Sequence, residues 1–156
     1  MQSSIRFEEA TEDEEKWLRE QLRMKHFGTL FLEGKKIIIA KGRWNEIYAV
    51  DEKLYAVYKR MRRQPYSLGL QIGEGKRELK PALPIAKYCR NKMSIRSSQE
   101  NHITYGGDPA QEVKGVLDGD FVVMVNGRDE PLGYGKVQRN RVKNIKDIGW
   151  YLREGG

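Results

Sequence analysis

Residues 119–146 read GDFVVMVNGRDEPLGYGKVQRNRVKNIK, and no other stretch constrains the fold as tightly. Phe121, Val122, Val123, Met124 and Val125 make a mostly β-branched apolar run, which reads as a strand. Asn126-Gly127 follows, a dipeptide that tolerates positive φ and so serves as a hairpin turn. The chain then returns through Pro131-Leu132-Gly133-Tyr134-Gly135 and Val137. Lys136, Arg139, Arg141, Lys143 and Lys146 place five positive charges within eleven residues that contain no acid. A hairpin that continues into an all-cationic segment is a surface for a polyanion.

The whole chain carries the same bias. Its 156 residues have a formal net charge of +7 and a pI of about 9.5, which points to nucleic acid or an acidic partner. That length holds one domain or two small ones. A hydrophobic fraction of 38% makes a lean core, and 33% charged residues favour solubility. Cys89 is the only cysteine, so neither an internal disulfide nor a cysteine-built metal site can form. The apolar runs, 37–40 and the five residues at 121–125, are far too short to cross a membrane. Met1-Gln2-Ser3-Ser4 opens into charged sequence, so no signal peptide is expected. The expected location is cytoplasmic, or nucleolar and nuclear in a eukaryote.

Taken in order, the chain begins with acids at Glu8, Glu9, Glu12, Asp13, Glu14 and Glu15, read as a solvated helix start. Thr11 and Glu14 have capping-box spacing, and Trp17, Leu18 and Leu22 share one helical face, so a helix is expected over 12–25. Segments 29–33 and 36–40 flank Gly34-Lys35 as a hairpin, and a short strand follows at 47–50. Asp51 caps a second helix with Leu54, Val57, Tyr58 and Met61 as its apolar face, ended by Pro65. Its other face carries Lys53, Lys59, Arg60, Arg62 and Arg63. These either complement the helix dipole or form a secondary basic surface. Residues 66–72 read as a strand. Gly73-Glu74-Gly75-Lys76 lacks phosphate-loop spacing, since Leu70 stands where the first glycine belongs and Arg77 where Ser or Thr would hold magnesium.

Pro81 and Pro84 mark a break, residues 83–88 close the first half, and the polar run at 90–92 is the expected boundary between domains 1–90 and 91–156. The second half opens with a strand at 93–96. Ser97 or Ser98 caps a short helix through His102 that stops at Gly106-Gly107. Val113, Val116 and Leu117 lead to Asp118-Gly119-Asp120 and the hairpin, and the closing DIGWYLREGG carries Trp150, Tyr151 and Leu152 as a short strand or helix. The fold class is α+β in two unequal parts, a mixed α/β domain followed by a small glycine-punctuated β-barrel.

Nothing in the pattern argues for an enzyme or a cofactor. The two histidines, His26 and His102, fall in different halves, and neither they nor Cys89 have ligand spacing, so no metal is expected. His26 at a helix end reads as structural. His102 either packs or touches RNA bases, and Cys89 beside Tyr88 reads as a small buried hydrophobe. Trp44, Tyr48, Tyr55 and Tyr58 either fill the first core or serve as a protein-docking surface.

GDFVVMV followed by EPLGYGKV, together with SIRSSQENHITYGGD, resembles the PUA domain, an RNA-binding module built as a small mixed β-barrel. PLGYG with a later Asp147-Ile148-Gly149-x-Tyr151-Leu152-Arg153, and NEIYAVDEKL and YSLGLQIGEG in the first half, are similar to the Nip-seven-type ribosome biogenesis factors, with archaeal membership implied. The resemblance implies a non-enzymatic assembly factor for the large ribosomal subunit that acts in pre-ribosomal RNA processing. Its PUA-type barrel would bind RNA, including uridine- or adenosine/uridine-rich single strands, and its first domain would bind assembly factors or RNA-processing complexes. The positions matching the RNA surface are Arg139, Arg141, Lys143 and Lys146. Lys136 adds to their charge, and Tyr134 and Tyr105 are candidates to stack on an unpaired base. The alternative is a translation-associated PUA protein that binds the ribosome or initiator transfer RNA.

Overall fold

The computed structural model describes residues 6–42, 44–63, 68–110 and 119–147. Pro65, the first residues of the strand expected at 66–72, the run Val113–Val116–Leu117, Asp118 and the closing segment from Ile148 onward lie outside the described residues. The chain forms two compact units, Met1–Met24 with Gly28–Ile85, and Lys25–Phe27 with Ala86–Gly156. Among the described residues no helix is long and apolar enough to cross a membrane.

The first unit is an antiparallel meander of five strands in the order β1 (Arg6–Glu9), β2 (Lys35–Lys41), β3 (Glu46–Asp51), β4 (Leu70–Glu74) and β5 (Lys80–Pro81). Its centre is β2, where Ile37, Ile38, Ile39 and Ala40 are all buried, so both faces of the sheet are covered. On one face Ile38, Ala40, Tyr48 and Val50 meet Tyr55 and Leu68. On the other, Ile39 and Ile47 line a pocket with Trp17 of helix α1 (Glu12–Met24). Thr11 starts α1 with a reciprocal cap. The Glu14 backbone N–H donates to Thr11 Oγ1 at 3.2 Å and the Thr11 N–H to Glu14 Oε1 at 3.0 Å. Leu18 and Leu22 are buried one turn apart. The Trp17 indole N–H donates to the Arg77 carbonyl at 3.2 Å, and Gln21 Oε1 accepts from the Leu79 N–H at 3.1 Å, tying α1 to the β4–β5 hairpin.

Expectations for the start of this unit need correction. Glu8 and Glu9 belong to strand β1 and not to the helix start. β1 has one apolar side chain, Phe7, and is held by cross-strand pairs, Glu9 to Lys36 and Glu8 to Lys41, each at 3.1 Å. The ammonium of Lys36 holds the Glu9 carboxyl below its ordinary pKa and is itself raised by that partner. The hairpin expected at 29–33 is a 3-10 turn, Leu30–Leu32, with Leu32 buried and Leu30 exposed. It leaves through Gly34 at φ +72° into β2, whose strand partners are β1 and β3.

Helix α2 (Glu52–Arg60) is capped as the sequence indicates, with Asp51 accepting from the Lys53 N–H at 2.9 Å. Its buried face, however, is Tyr55 and Tyr58, which stack at 6.0 Å, while Phe7 meets Tyr58 edge-on at 5.3 Å. Leu54, Val57 and Met61, expected to face inward, are 42%, 57% and 49% exposed. The helix ends at Arg60, with the Met61 N–H donating to the Tyr58 carbonyl at 3.0 Å.

In the second unit β6 (Lys92–Ser94) runs parallel to β7 (Phe121–Val125). β7, β8 (Pro131–Gln138) and β9 (Arg141–Asp147) are antiparallel neighbours, giving the order β6-β7-β8-β9. One face buries Val122, Met124, Leu132, Val137 and Val142 against Met93, Ile95 and Ile103, the last from helix α3 (Glu100–Thr104). Ser97 and Ser98 do not cap α3 with their side chains. They lie inside a preceding 3-10 turn, Ser97–Gln99, and Gln99 stands at the α3 N-cap without a side-chain capping bond, its Oε1 accepting instead from the Ala110 N–H at 3.2 Å. Gly106 at φ +88° ends α3, as expected. The expected barrel is an open sheet, because β6 and β9 do not pair with each other among the described residues.

Glycine contacts yield a first prediction. A Cβ on Gly73 would stand 2.4 Å from the Lys80 carbonyl oxygen, a backbone atom that cannot move without breaking the β4–β5 pairing, whereas Gly127 faces open space. Gly73→Ala should lower the urea stability of the protein by about 1–3 kcal/mol. Gly127→Ala should stay within about 0.5 kcal/mol of the parent.

Candidate nucleic-acid interface

The β8–β9 ribbon carries the cationic segment, and its geometry follows from its turn. Gln138 pairs with Arg141, so Arg139 and Asn140 are the two central residues, at φ +51° and +62°. Positive φ at both positions is the twist-matched two-residue hairpin turn. Asn accepts that conformation readily. Arg does so at a cost of about 1 kcal/mol. The Asn126-Gly127 turn, by contrast, is not a two-residue one. The Asn126 side-chain oxygen accepts from the Arg128 and Glu130 N–H groups at 2.9 and 3.0 Å, and Asp129, at φ +62°, makes the reversal.

The register places Lys136 directly opposite Lys143 and Val137 opposite Val142. Val137 and Val142 are core, so Lys136, Gln138, Arg141 and Lys143 alternate onto the other face, where all four are exposed. Like charges directly opposite on antiparallel strands repel by about 0.2–1 kcal/mol. Among the described residues no acid forms an ion pair with Lys136, Arg141 or Lys143. Arg139 sits exposed at the hairpin tip, and Lys146 is half-buried opposite Tyr134. The sequence-identified cations thus share one ribbon.

The aromatic candidates separate. Tyr134 is 1% exposed, with its ring 4.8 Å from that of Phe121 and 6.0 Å from that of Phe27, so it is a core residue and not a stacking platform. Lys25 lies 5.5 Å over the Phe121 ring at the margin of this cluster. Tyr105 is 80% exposed at the end of α3. Asn144 secures its loop to β9. The Asn144 amide donates to the Ile103 and Gly107 carbonyls at 3.0 Å each, and its backbone N–H donates to Asp108 at 2.8 Å. The His102 ring packs over Gly107, where a Cβ would meet it at 2.4 Å. Tyr105 is therefore held beside β9 on the α3 side of the sheet, the side opposite Arg141 and Lys143. The sequence reading missed Asn144 and Asp108. The available signal was an Asn inside a strand, where that residue is depleted unless its side chain has a bond to make.

The remaining candidates are accounted for locally. Lys59 stands 4.7 Å over the Tyr55 ring, while Arg60, Arg62 and Arg63 are exposed at the end of α2. His26 adopts φ +66°, its carbonyl accepts from the Arg90 N–H at 2.7 Å, and its Nε2 lies 3.3 Å from Asp120. Burial pushes the Cys89 thiol up, and its Sγ lies 3.7 Å from the Lys25 and Asn91 carbonyls, so it keeps its proton at neutral pH and is a poor nucleophile. Among the described residues no three His, Cys, Asp or Glu side chains are placed to hold a metal.

Comparison with known proteins is consistent across both units. A protein of the UPF0113 group from Aeropyrum pernix K1 is 31% identical over 144 residues, covering 81% of this chain and 79% of that protein. A conserved PUA-domain protein from Thermoplasma acidophilum superposes with a TM-score of 0.65 at 14% identity, covering 96% of this chain and 99% of that one. A PUA domain from A. pernix K1, crystallised as a tartrate complex, gives 0.59 at 12% identity, covering 97% and 92%. At those identities the two structures establish the fold alone. The family profile described as the UPF0113 PUA domain matches residues 91–156. The chain therefore belongs to the UPF0113 family and ends in its PUA domain, a class of domain that generally binds RNA.

Proposed function

We propose that this protein is a non-enzymatic RNA-binding factor of ribosome biogenesis, of the Nip-seven type. It would act in large-subunit assembly and pre-ribosomal RNA processing in the cytoplasm of an archaeon. RNA lies along the β8–β9 ribbon, and the first unit engages pre-ribosomal assembly factors or RNA-processing complexes. The observation that carries the reading is the Lys136–Lys143 cross-strand pair, extended by Arg141 and by Arg139 at the tip, with no acid paired to the two lysines or Arg141 among the described residues. An arrangement that repels itself gains from a phosphate backbone set across it. Tyr105 supplies an exposed ring for an unpaired base, which favours single-stranded RNA.

RNA affinity across a salt series tests this. Each phosphate contact contributes about −0.7 to the log–log slope for a single strand, so changing Lys136, Arg141 and Lys143 together to Ala should flatten the slope by about two. An unchanged slope and affinity would remove the ribbon from the interface. Tyr105→Ala should weaken binding by about 1–3 kcal/mol while leaving the slope alone, the mark of lost stacking as opposed to lost charge. Asn144→Ala acts one step back. It removes the side-chain donor from the Gly107 carbonyl and from the Ile103 carbonyl, which keeps the Gly106 N–H, so it should cost about 1–3 kcal/mol of folding stability and speed amide exchange at residues 105–107. In sedimentation the protein should co-migrate with large-subunit precursors. Migration with initiating small subunits instead would overturn the biogenesis role while leaving RNA binding intact.

A further inference from the structure

Helix α2 presents an apolar ridge to solvent. At 3.6 residues per turn Leu54, Val57 and Met61 fall within about 60° of one another, and they are 42%, 57% and 49% exposed. The next positions round the helix, away from the sheet, are Lys53 and Arg60, and Arg62 and Arg63 continue past its end, all exposed. None of these four forms an ion pair among the described residues. Beside them, Tyr55 and Tyr58 turn inward against Phe7, and Lys59 covers the Tyr55 ring. A solvent-facing helix surface normally carries polar residues on this side. Here three aliphatic side chains have cations along one edge.

We propose that this ridge is the docking site for an acidic amphipathic helix of a partner protein, with apolar side chains packed on Leu54, Val57 and Met61 and carboxylates reaching Lys53, Arg60, Arg62 and Arg63. The inference rests on the part of the proposed function that gives the first unit a protein partner. Charge and shape select this occupant over two others. RNA bases stack on aromatic rings, and the aromatic rings of α2 are turned into the core, leaving aliphatic groups that offer a base no stacking. A second copy of the chain would bring the same patch onto itself across a two-fold axis, setting the cations of one protomer, Lys53, Arg60, Arg62 and Arg63, against those of the other. An acidic partner meets both halves of the surface at once. The apolar anchors contribute affinity, and the carboxylates contribute register and rejection of basic competitors.

The test uses the full chain and two synthetic helical peptides. Both carry leucines at i, i+3, i+4 and i+7, one flanked by glutamates and the other by lysines. Fluorescence anisotropy should show the glutamate peptide binding at least about tenfold tighter than the lysine peptide. Changing Leu54, Val57 and Met61 together to Ala should cut that binding by about tenfold or more, as should Arg60→Glu with Arg62→Glu and Arg63→Glu. All six positions are at the surface, and alanine favours helix, so these variants retain the fold. Affinity of the same variants for uridine-rich RNA is measured alongside, so that failure of the ridge and failure of the RNA reading are separate results. The proposal is overturned if the peptides bind alike or if the alanine variant keeps its peptide affinity. It is equally overturned if that variant loses RNA affinity instead, which makes the ridge an RNA surface. A dimer in light scattering that the alanine variant dissociates would assign the ridge to a second copy.

Discussion

The register of the β8–β9 ladder decides which side of the second unit is core and which is cationic. Side chains alternate with period two along a strand, and β8 is registered by β7, so a slip of β9 by one residue would turn Val142 outward and bury Arg141 and Lys143. Burying two unpaired cations costs several kcal/mol each, far more than any cross-strand contact returns. The register is set at one end by the tight Arg139–Asn140 turn and absorbs a bulge at Tyr134–Gly135. Gly135 is required beside that bulge, since a Cβ there would stand 2.1 Å from Val142. The repulsion between Lys136 and Lys143 is thus the cost of a register that the hydrophobic face imposes. The chain tolerates it on the one surface where water or a polyanion can compensate.

The first unit solves a different problem with the same elements. Four consecutive buried residues in β2 need cover on both faces, which α1 and α2 supply from opposite sides of the sheet. The two helices are attached by different means. α1 is held by a cap, two buried leucines and hydrogen bonds to the β4–β5 hairpin. α2 is held chiefly by aromatic rings, Tyr55 and Tyr58 with Phe7, with Lys36 and Lys59 placed over the Tyr55 ring. The two rings take the sheet-facing positions of the helix, and Leu54, Val57 and Met61 face solvent.

Legibility from sequence followed the locality of the signal. The α1 cap, the Asp51 cap, the Phe121–Val125 strand and the glycine stop at Gly106 each depend on a few neighbouring residues, and each was readable. β1 was not, because a strand with a single apolar side chain exists only through its partner, and that partner, β2, begins some twenty-five residues away. The face of α2 was misread because Tyr58 satisfies both helical stripes, Leu54–Val57–Tyr58–Met61 and Tyr55–Tyr58. Periodicity alone cannot choose between them, whereas the position of Phe7 can. The site divided in the same way. The charges were visible as composition, but the exclusion of Tyr134 depended on Phe27, which the chain brings to that ring from the far side of more than a hundred residues. Asn144 went unseen because its partners, Ile103, Gly107 and Asp108, are non-local too.

The two cationic surfaces are alike in charge and opposite in what accompanies it, and that difference carries functional information that net charge does not. On the β8–β9 ribbon Arg141 and Lys143 share their face with polar Gln138 and one exposed aliphatic, Ile145, and exposed Tyr105 is carried at the end of α3 on the other side of the same strand. Such a surface can meet phosphates and a base but offers little for an apolar anchor. On α2 the neighbours of Lys53 and Arg60 are aliphatic, and the available rings are buried. Burying Leu54, Val57 and Met61 against another protein would return about 25 cal/mol for each Å² of apolar area removed from water, a gain that a nucleic-acid backbone cannot supply. A basic protein with only the first kind of surface would be an RNA binder and nothing more. The second kind, occupied as proposed, would give the chain a way to bring RNA and an acidic protein together, and each surface has its own set of substitutions that tests it.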